Sequence, residues 1–179
     1  MRERHSFGVD VSMISSLGND ALGKEALALI KEKGLDTALI QRNDKPTGQV
    51  KVTLDKAGSA SYEIAQDTAW DAIAWNEKNA EAVTAADALI IGSLAFRESG
   101  NILEALDEDS SIAETAVNLE AIEVLAERSK FTVFDLNLRT PHYDLEIVAS
   151  LMEAADMIKL NGEELELIVM AMGIEGDTL

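Results

Sequence analysis

The sequence predicts an α/β fold with a small antiparallel hairpin, and three observations carry that prediction. Short, mostly apolar runs at residues 88–92, 131–135 and 157–160 alternate with amphipathic helical patterns at 113–128 and 144–154. Strands that are buried on both faces and separated by helices mark parallel crossover units. Residues 48–54 and 59–64 instead alternate apolar with polar side chains around the turn 55–58, the pattern of an antiparallel hairpin. Finally, 47% apolar against 27% charged residues in a chain of 179 is enough oily surface for a core, despite the charge.

The elements follow in chain order. Residues 9–15 are apolar and β-branched enough for a strand, and Leu17-Gly18-Asn19-Asp20 reads as a turn into a helix over 20–33. In that helix Leu22, Ala26, Leu29 and Ile30 recur at helical spacing, with Gly34 as its stop. A short strand is expected at 35–41, then the hairpin, a Trp-containing stretch at 67–75 and a helix over 77–86. Residues 98–111 are acidic, with Ile102, Leu103 and Leu106 at helical spacing, and read as a surface helix or loop. A last helical pattern runs over 163–172. With two prolines and no low-complexity linker, one domain over 1–179 is expected, with the hairpin occupying about 46–66.

Composition excludes several functions. Asp and Glu number 33 against 15 Lys and Arg, a net charge of -18, so a polyanion such as nucleic acid is repelled. There is no cysteine, hence no disulfide, thiolate metal site or cysteine nucleophile. No apolar run suits a signal peptide or a bilayer span, so neither a membrane nor a leader is expected and the cytoplasm is the expected compartment. His5 and His142 stand alone without ligand spacing. Trp70 and Trp75, lacking basic neighbours, read as packing residues rather than a stacking platform.

In open α/β sheets ligands bind beyond the carboxyl ends of the strands, which directs attention to Gly92-Ser93, residues 135–139 and residues 161–164. Asp135-Leu-Asn-Leu-Arg139 sets three polar side chains at alternate positions as a strand runs out, so all three could share one side. Arg139 could hold phosphate oxygens in its planar fork while Asn137 positions it or a ligand. The competing reading is a strand end whose acid and arginine pair with each other. Asn161-Gly-Glu-Glu164 opens the last helix, and Asn with Glu three residues on is a capping box. Its functional alternative places Glu164 near a hydrated magnesium ion. The hairpin bearing Thr47, Gly48, Val50, Val52 and Leu54 is too small to stand alone: it covers a cleft, pairs with another subunit, or is an ordinary extension.

Taken in order, these residues resemble the ribokinase-like, PfkB-type carbohydrate kinases, most of all fructokinases and their close relatives. The likeness lies in Ser16-Leu-Gly-Asn-Asp-Ala-Leu-Gly23, Gly34-Leu-Asp-Thr37, Thr47-Gly48, Phe134-Asp-Leu-Asn-Leu-Arg139 and Leu160-Asn-Gly-Glu-Glu-Leu165. The resemblance implies a ribokinase-like parallel sheet with flanking helices and a hairpin lid at Thr47, Gly48, Val50 and Val52. It also implies transfer of the γ-phosphoryl group of ATP to a sugar hydroxyl with Mg2+, and homodimers joined through the lid. By the same likeness Asn161 and Glu164 lie on the metal side, the latter through water, and Asp135, Asn137 and Arg139 lie beside the substrate and phosphates.

Two segments of the family pattern do not occur here. One is an initial strand with a Gly-Gly-x-x-x-Asn stretch that helps bind the sugar. The other is a Gly-Ala-Gly-Asp motif that supplies the anion hole and the catalytic base. Gly173-Ile-Glu-Gly-Asp177 comes too early and lacks that sequence, so Asp177 is not taken as the base. Phosphoryl transfer relies on positioning and electrostatics, so the sheet is expected to be incomplete and this polypeptide inactive alone. The alternative is a non-catalytic remnant that serves as a dimerising or binding module.

Overall fold

A computed structural model describes residues 9–54, 56, 58, 60–74, 76–97 and 127–173. The chain divides into two compact units, whose described parts are residues 9–79 and residues 80–97 with 127–173. Each is considered by itself.

In the first unit, β1 (Ser15–Gly18) and β2 (Ile40–Asn43) pair in parallel, with α1 (Ala21–Glu32) between them. The predicted strand at 9–15 therefore appears later, because only 15–18 find backbone partners on β2. The predicted strand at 35–41 is likewise displaced toward its C-terminus. Residues 34–38 close the helix instead: Gly34 takes the left-handed conformation (φ +69), Leu35 N–H donates to Ile30 O, and Ala38 N–H donates to the Asp36 carboxylate. Such side-chain turns compete with strand formation.

Helix α1 forms as its sequence predicts, yet its apolar stripe is not what holds it. Leu22 and Leu29 are exposed, and Gly23 is its one buried residue. The helix is fastened at its first turn. Asp20, the N-cap, accepts from Gly23 N–H at 2.7 Å, from Thr47 N–H at 2.8 Å and from the Thr47 hydroxyl at 2.7 Å. The Thr47 hydroxyl in turn accepts from Gly18 N–H at 3.0 Å. Glycine is required for this approach: a Cβ on Gly23 would stand 2.2 Å from Gly18 O and 2.7 Å from Thr47 Oγ1.

The hairpin consists of β3 (Val50–Leu54) and β4 (Ala60–Ile64), antiparallel, with Val50 opposite Ile64 and Leu54 opposite Ala60. Gly58, in the predicted turn, has φ +85. One face carries Val50, Val52, Leu54, Tyr62 and Ile64, and the other pairs Lys51 with Glu63 at 3.0 Å. The chain then reaches a 3-10 turn, Ala69–Ala72, and α2 (Glu77–Ala85), where it passes to the second unit. Asn43 ties β2 to that turn by donating to Ala69 O at 3.0 Å, and to β1 through the Ser16 hydroxyl at 3.0 Å.

The second unit is a parallel sheet of β5 (Leu89–Gly92), β6 (Thr132–Asp135) and β7 (Met157–Lys159), ordered β5-β6-β7. Helix α3 (Leu145–Ala154) precedes β7, and α4 (Gly162–Met172) follows it. Phe134 and Leu136 are fully buried, as are Val148 and Leu151 of α3 and Ile168 of α4. Burial on both sheet faces was expected, but Ile90 and Met157, which flank Val133 in register, are exposed at 73% and 52%. The buried face is the one that carries Thr132 and Phe134. Of the helical pattern at 113–128 only the last two residues are described, and they are helical; residues 98–111 lie outside the description.

Two outcomes follow from the Asp20 knot. Hydrogen bonds from the Thr47 backbone, the Thr47 hydroxyl and Gly23 N–H lower the Asp20 pKa from 3.8 to about 2. The folded state thus holds this proton less tightly, so the stabilisation is complete above about pH 4 and disappears as pH falls through about 2. Urea unfolding at several pH values is expected to find Asp20→Asn less stable than the parent at pH 7, with the gap closing between pH 4 and pH 2. Gly23→Ala is expected to cost about 1–3 kcal/mol by overpacking against Gly18 and Thr47, measured by the same unfolding at neutral pH.

Candidate functional site

The three strands of the second unit run the same way, so their carboxyl ends lie along one edge. That edge receives Gly92-Ser93, the segment 136–139 and the start of α4. The Ser93 hydroxyl, at a position the sequence marks for attention, is buried without a hydrogen-bond partner among the described residues.

Strand β6 ends at Asp135 rather than continuing through Arg139. Both Asp135 oxygens accept from Lys159 Nζ at 2.8 Å, so the acid at this strand end pairs with a lysine of the neighbouring strand. Leu136 is buried and donates its N–H to Lys159 O at 2.9 Å. Asn137 then adopts φ +41, a left-handed conformation that Asn tolerates better than most residues. The extended alternation expected over 135–139 is therefore interrupted at its middle residue. Arg139 folds its guanidinium back so that Nη1 donates to Leu138 O at 3.0 Å.

Asn161 and Glu164 form the capping box anticipated from their spacing. Asn161 Oδ1 accepts from Glu164 N–H at 2.9 Å, and Glu164 Oε2 accepts from Asn161 N–H at 3.0 Å. Glu164 also has a partner that spacing could not disclose: Oε1 accepts from Leu138 N–H at 2.8 Å. Glu164 is buried, and it joins the segment leaving β6 to the first turn of α4.

These contacts decide how a metal ion could be held. Among the described residues no three His, Asp or Glu side chains gather as a direct ligand set. Asp135 is occupied by Lys159, and each oxygen of Glu164 already accepts one amide, keeping one of its two lone pairs. The remaining lone pairs of Glu164 could accept from the water shell of a hydrated cation. Beyond Arg139 an open depression of about 480 Å³ is lined by Thr140, Pro141, Tyr143, Asp144, Leu145 and Glu146. Of its two acids, Asp144 caps α3, accepting from Glu146 N–H at 2.7 Å.

Of the residues expected to form a lid, Thr47 is buried in the Asp20 knot and Gly48 packs beside the Trp70 ring, where a Cβ would come to 3.0 Å. Val50 and Val52 are exposed on the hairpin. Residues 174–177, up to Asp177, lie outside the described residues. No described helix is long and apolar enough to cross a membrane.

Comparison with known proteins agrees with this architecture. A sugar kinase from Pyrococcus horikoshii, itself uncharacterised, superposes with TM-score 0.72 at 26% identity, over 94% of this chain and 52% of its own. A second structure of that kinase, in complex with ATP, gives TM-score 0.71 at 26% identity over 94% of this chain and 53% of that one. A fructokinase from Xylella fastidiosa with bound ATP shares the fold with TM-score 0.71 at 20% identity, over 94% of this chain and 50% of that one. The chain thus spans about half the length of these relatives. No match was found among the curated proteins. The profile of the pfkB family carbohydrate kinases matches residues 4–177, nearly the whole chain, and with the parallel sheet and hairpin described above it follows that the chain belongs to that family.

Proposed function

We propose that the carboxyl edge of β5, β6 and β7 is part of the phosphate-handling side of an ATP-dependent sugar kinase, with fructose among the candidate acceptors. The observation that supports this reading is the bond from Leu138 N–H to Glu164 Oε1, which joins the segment leaving β6 to the Asn161 helix start in a chain of this family. Arg139 offers a guanidinium fork to phosphate oxygens, and Asn137 orients the approach. Asp135, neutralised by Lys159, lies on the substrate side. Asn161 and Glu164 would hold hydrated Mg2+, whose charge would offset that of the phosphates. A kinase that draws on ATP in this way would work in the cytoplasm.

On this reading, no turnover is expected from these 179 residues by themselves. Two of the acids of this edge already have partners: Asp135 is engaged by Lys159, and both oxygens of Glu164 accept backbone amides. A general base contributes on the order of 10²- to 10⁴-fold, and an anion hole contributes separately. In a coupled ADP-release assay with ATP, Mg2+ and fructose or ribose, the purified chain is expected to match the sugar-free blank. Sustained turnover that disappears in Arg139→Ala would refute this.

A second reading, a dimerising or binding module, draws on the hairpin. Val50, Val52, Leu54 and Tyr62 expose 45–66% of their surface on one face of the ribbon. An apolar face of this kind, on a ribbon whose strands pair with no further described strand, favours pairing with another surface. Sedimentation is expected to find a dimer that dissociates when Val50 and Val52 are both replaced by Asp. A monomer at every accessible concentration would count against the module.

A further inference from the structure

A capping box needs one acceptor from its third residue, and Glu or Gln serves equally. Glu164 does more. Its Oε2 accepts from Asn161 N–H within the helix start, and its Oε1 accepts from Leu138 N–H, 26 positions away in sequence. Only a carboxylate provides both: a Gln at this position has one acceptor oxygen and would turn its NH2 group toward the other N–H. The residue is buried at 8% exposure, where an amide stripped of its acceptor finds little water to replace it.

The peptide that Glu164 grips is also the one that Arg139 uses. Leu138 gives its N–H to Glu164 and accepts from Arg139 Nη1 on its carbonyl. On the other side of Asn137, Leu136 is anchored by its buried side chain and its bond to Lys159 O. Asn137 is thus held between two fixed peptides in its left-handed conformation. We propose that Glu164 is a positioning residue whose carboxylate clamps the segment leaving β6 to the first turn of α4, and so sets the placement of Asn137 and Arg139. The consequence for phosphate binding rests on the function proposed above, whereas the clamp itself does not.

Backbone amide exchange followed by NMR on the full 179-residue chain tests the clamp. In the parent, Leu138 N–H is expected to be protected to a degree comparable with Asn161 N–H. In Glu164→Gln, Leu138 exchange is expected to rise at least tenfold while Phe134 keeps its protection. Leu138 exchanging in the parent as fast as an open amide overturns the clamp without need of any variant. So does an unchanged Leu138 in Glu164→Gln, or a loss of protection spread evenly over β6. Inorganic phosphate then probes the consequence, read at the Arg139 Nε–H resonance. The parent is expected to respond, with at least tenfold weaker affinity in Glu164→Gln, and equal affinity in both proteins would overturn the positioning role. An Arg139 blind to phosphate in the parent, with Leu138 behaving as expected, would sustain the clamp and discard the phosphate reading.

Discussion

Both units are organised by a carboxylate in or beside the first turn of a helix that serves two stretches of chain at once. Asp20 caps α1 through Gly23 and reaches across to Thr47. Glu164 closes the cap of α4 through Asn161 and reaches across to Leu138. A helix start leaves backbone N–H groups without partners, and a carboxylate there also meets the favourable end of the helix dipole. The acid at that point is therefore already held in place. Its spare acceptor capacity can fix a second segment without ordering another side chain, which is where the entropic cost of a new contact would otherwise arise.

The two sites put this capacity to different use. Around Asp20 the result is compactness: Gly18 and Gly23 let β1, α1 and Thr47 approach so closely that no Cβ fits between them. The bonds converge on the root of the hairpin, so the ribbon departs from a rigid base. Around Glu164 the result is orientation, because the clamped peptide carries Asn137 on one side and Arg139 on the other. The first arrangement builds the scaffold, and the second disposes the polar groups of the strand edge.

Much of this was legible in the sequence, within definite limits. Helices α1, α3 and α4 follow from periodicity and caps, and Asn161 with Glu164 announces its capping box by spacing alone. Strand boundaries were harder, because a strand is defined by its partner. Residues 9–14 have the composition of a strand, but the ladder with β2 begins only at Ser15, and 35–38 are diverted by Gly34 and Asp36 into closing the helix. Long-range partners were not legible at all. Nothing in the local pattern tells that Asp135 would meet Lys159 of the adjacent strand, or that Glu164 would find Leu138. Those pairings arise only once parallel strands lie side by side, and they determine which polar groups at the edge remain available.

Among the described residues, the backbone fastenings of the hairpin lie near its base. Near its base Ile64 is buried and Ala65 N–H bonds Gln49 O at 3.0 Å, while exposure climbs along β3 from 45% at Val50 to 66% at Leu54. A Cβ added at Gly58 would meet nothing within 4 Å. Mechanically this is a cantilever: bending at the base sets the excursion of the tip, and a force applied near Leu54 acts with its longest lever arm on the peptide bonds around Thr47. The stiffness of the ribbon is thus governed less by its own ladder than by the carboxylate wired to its foot.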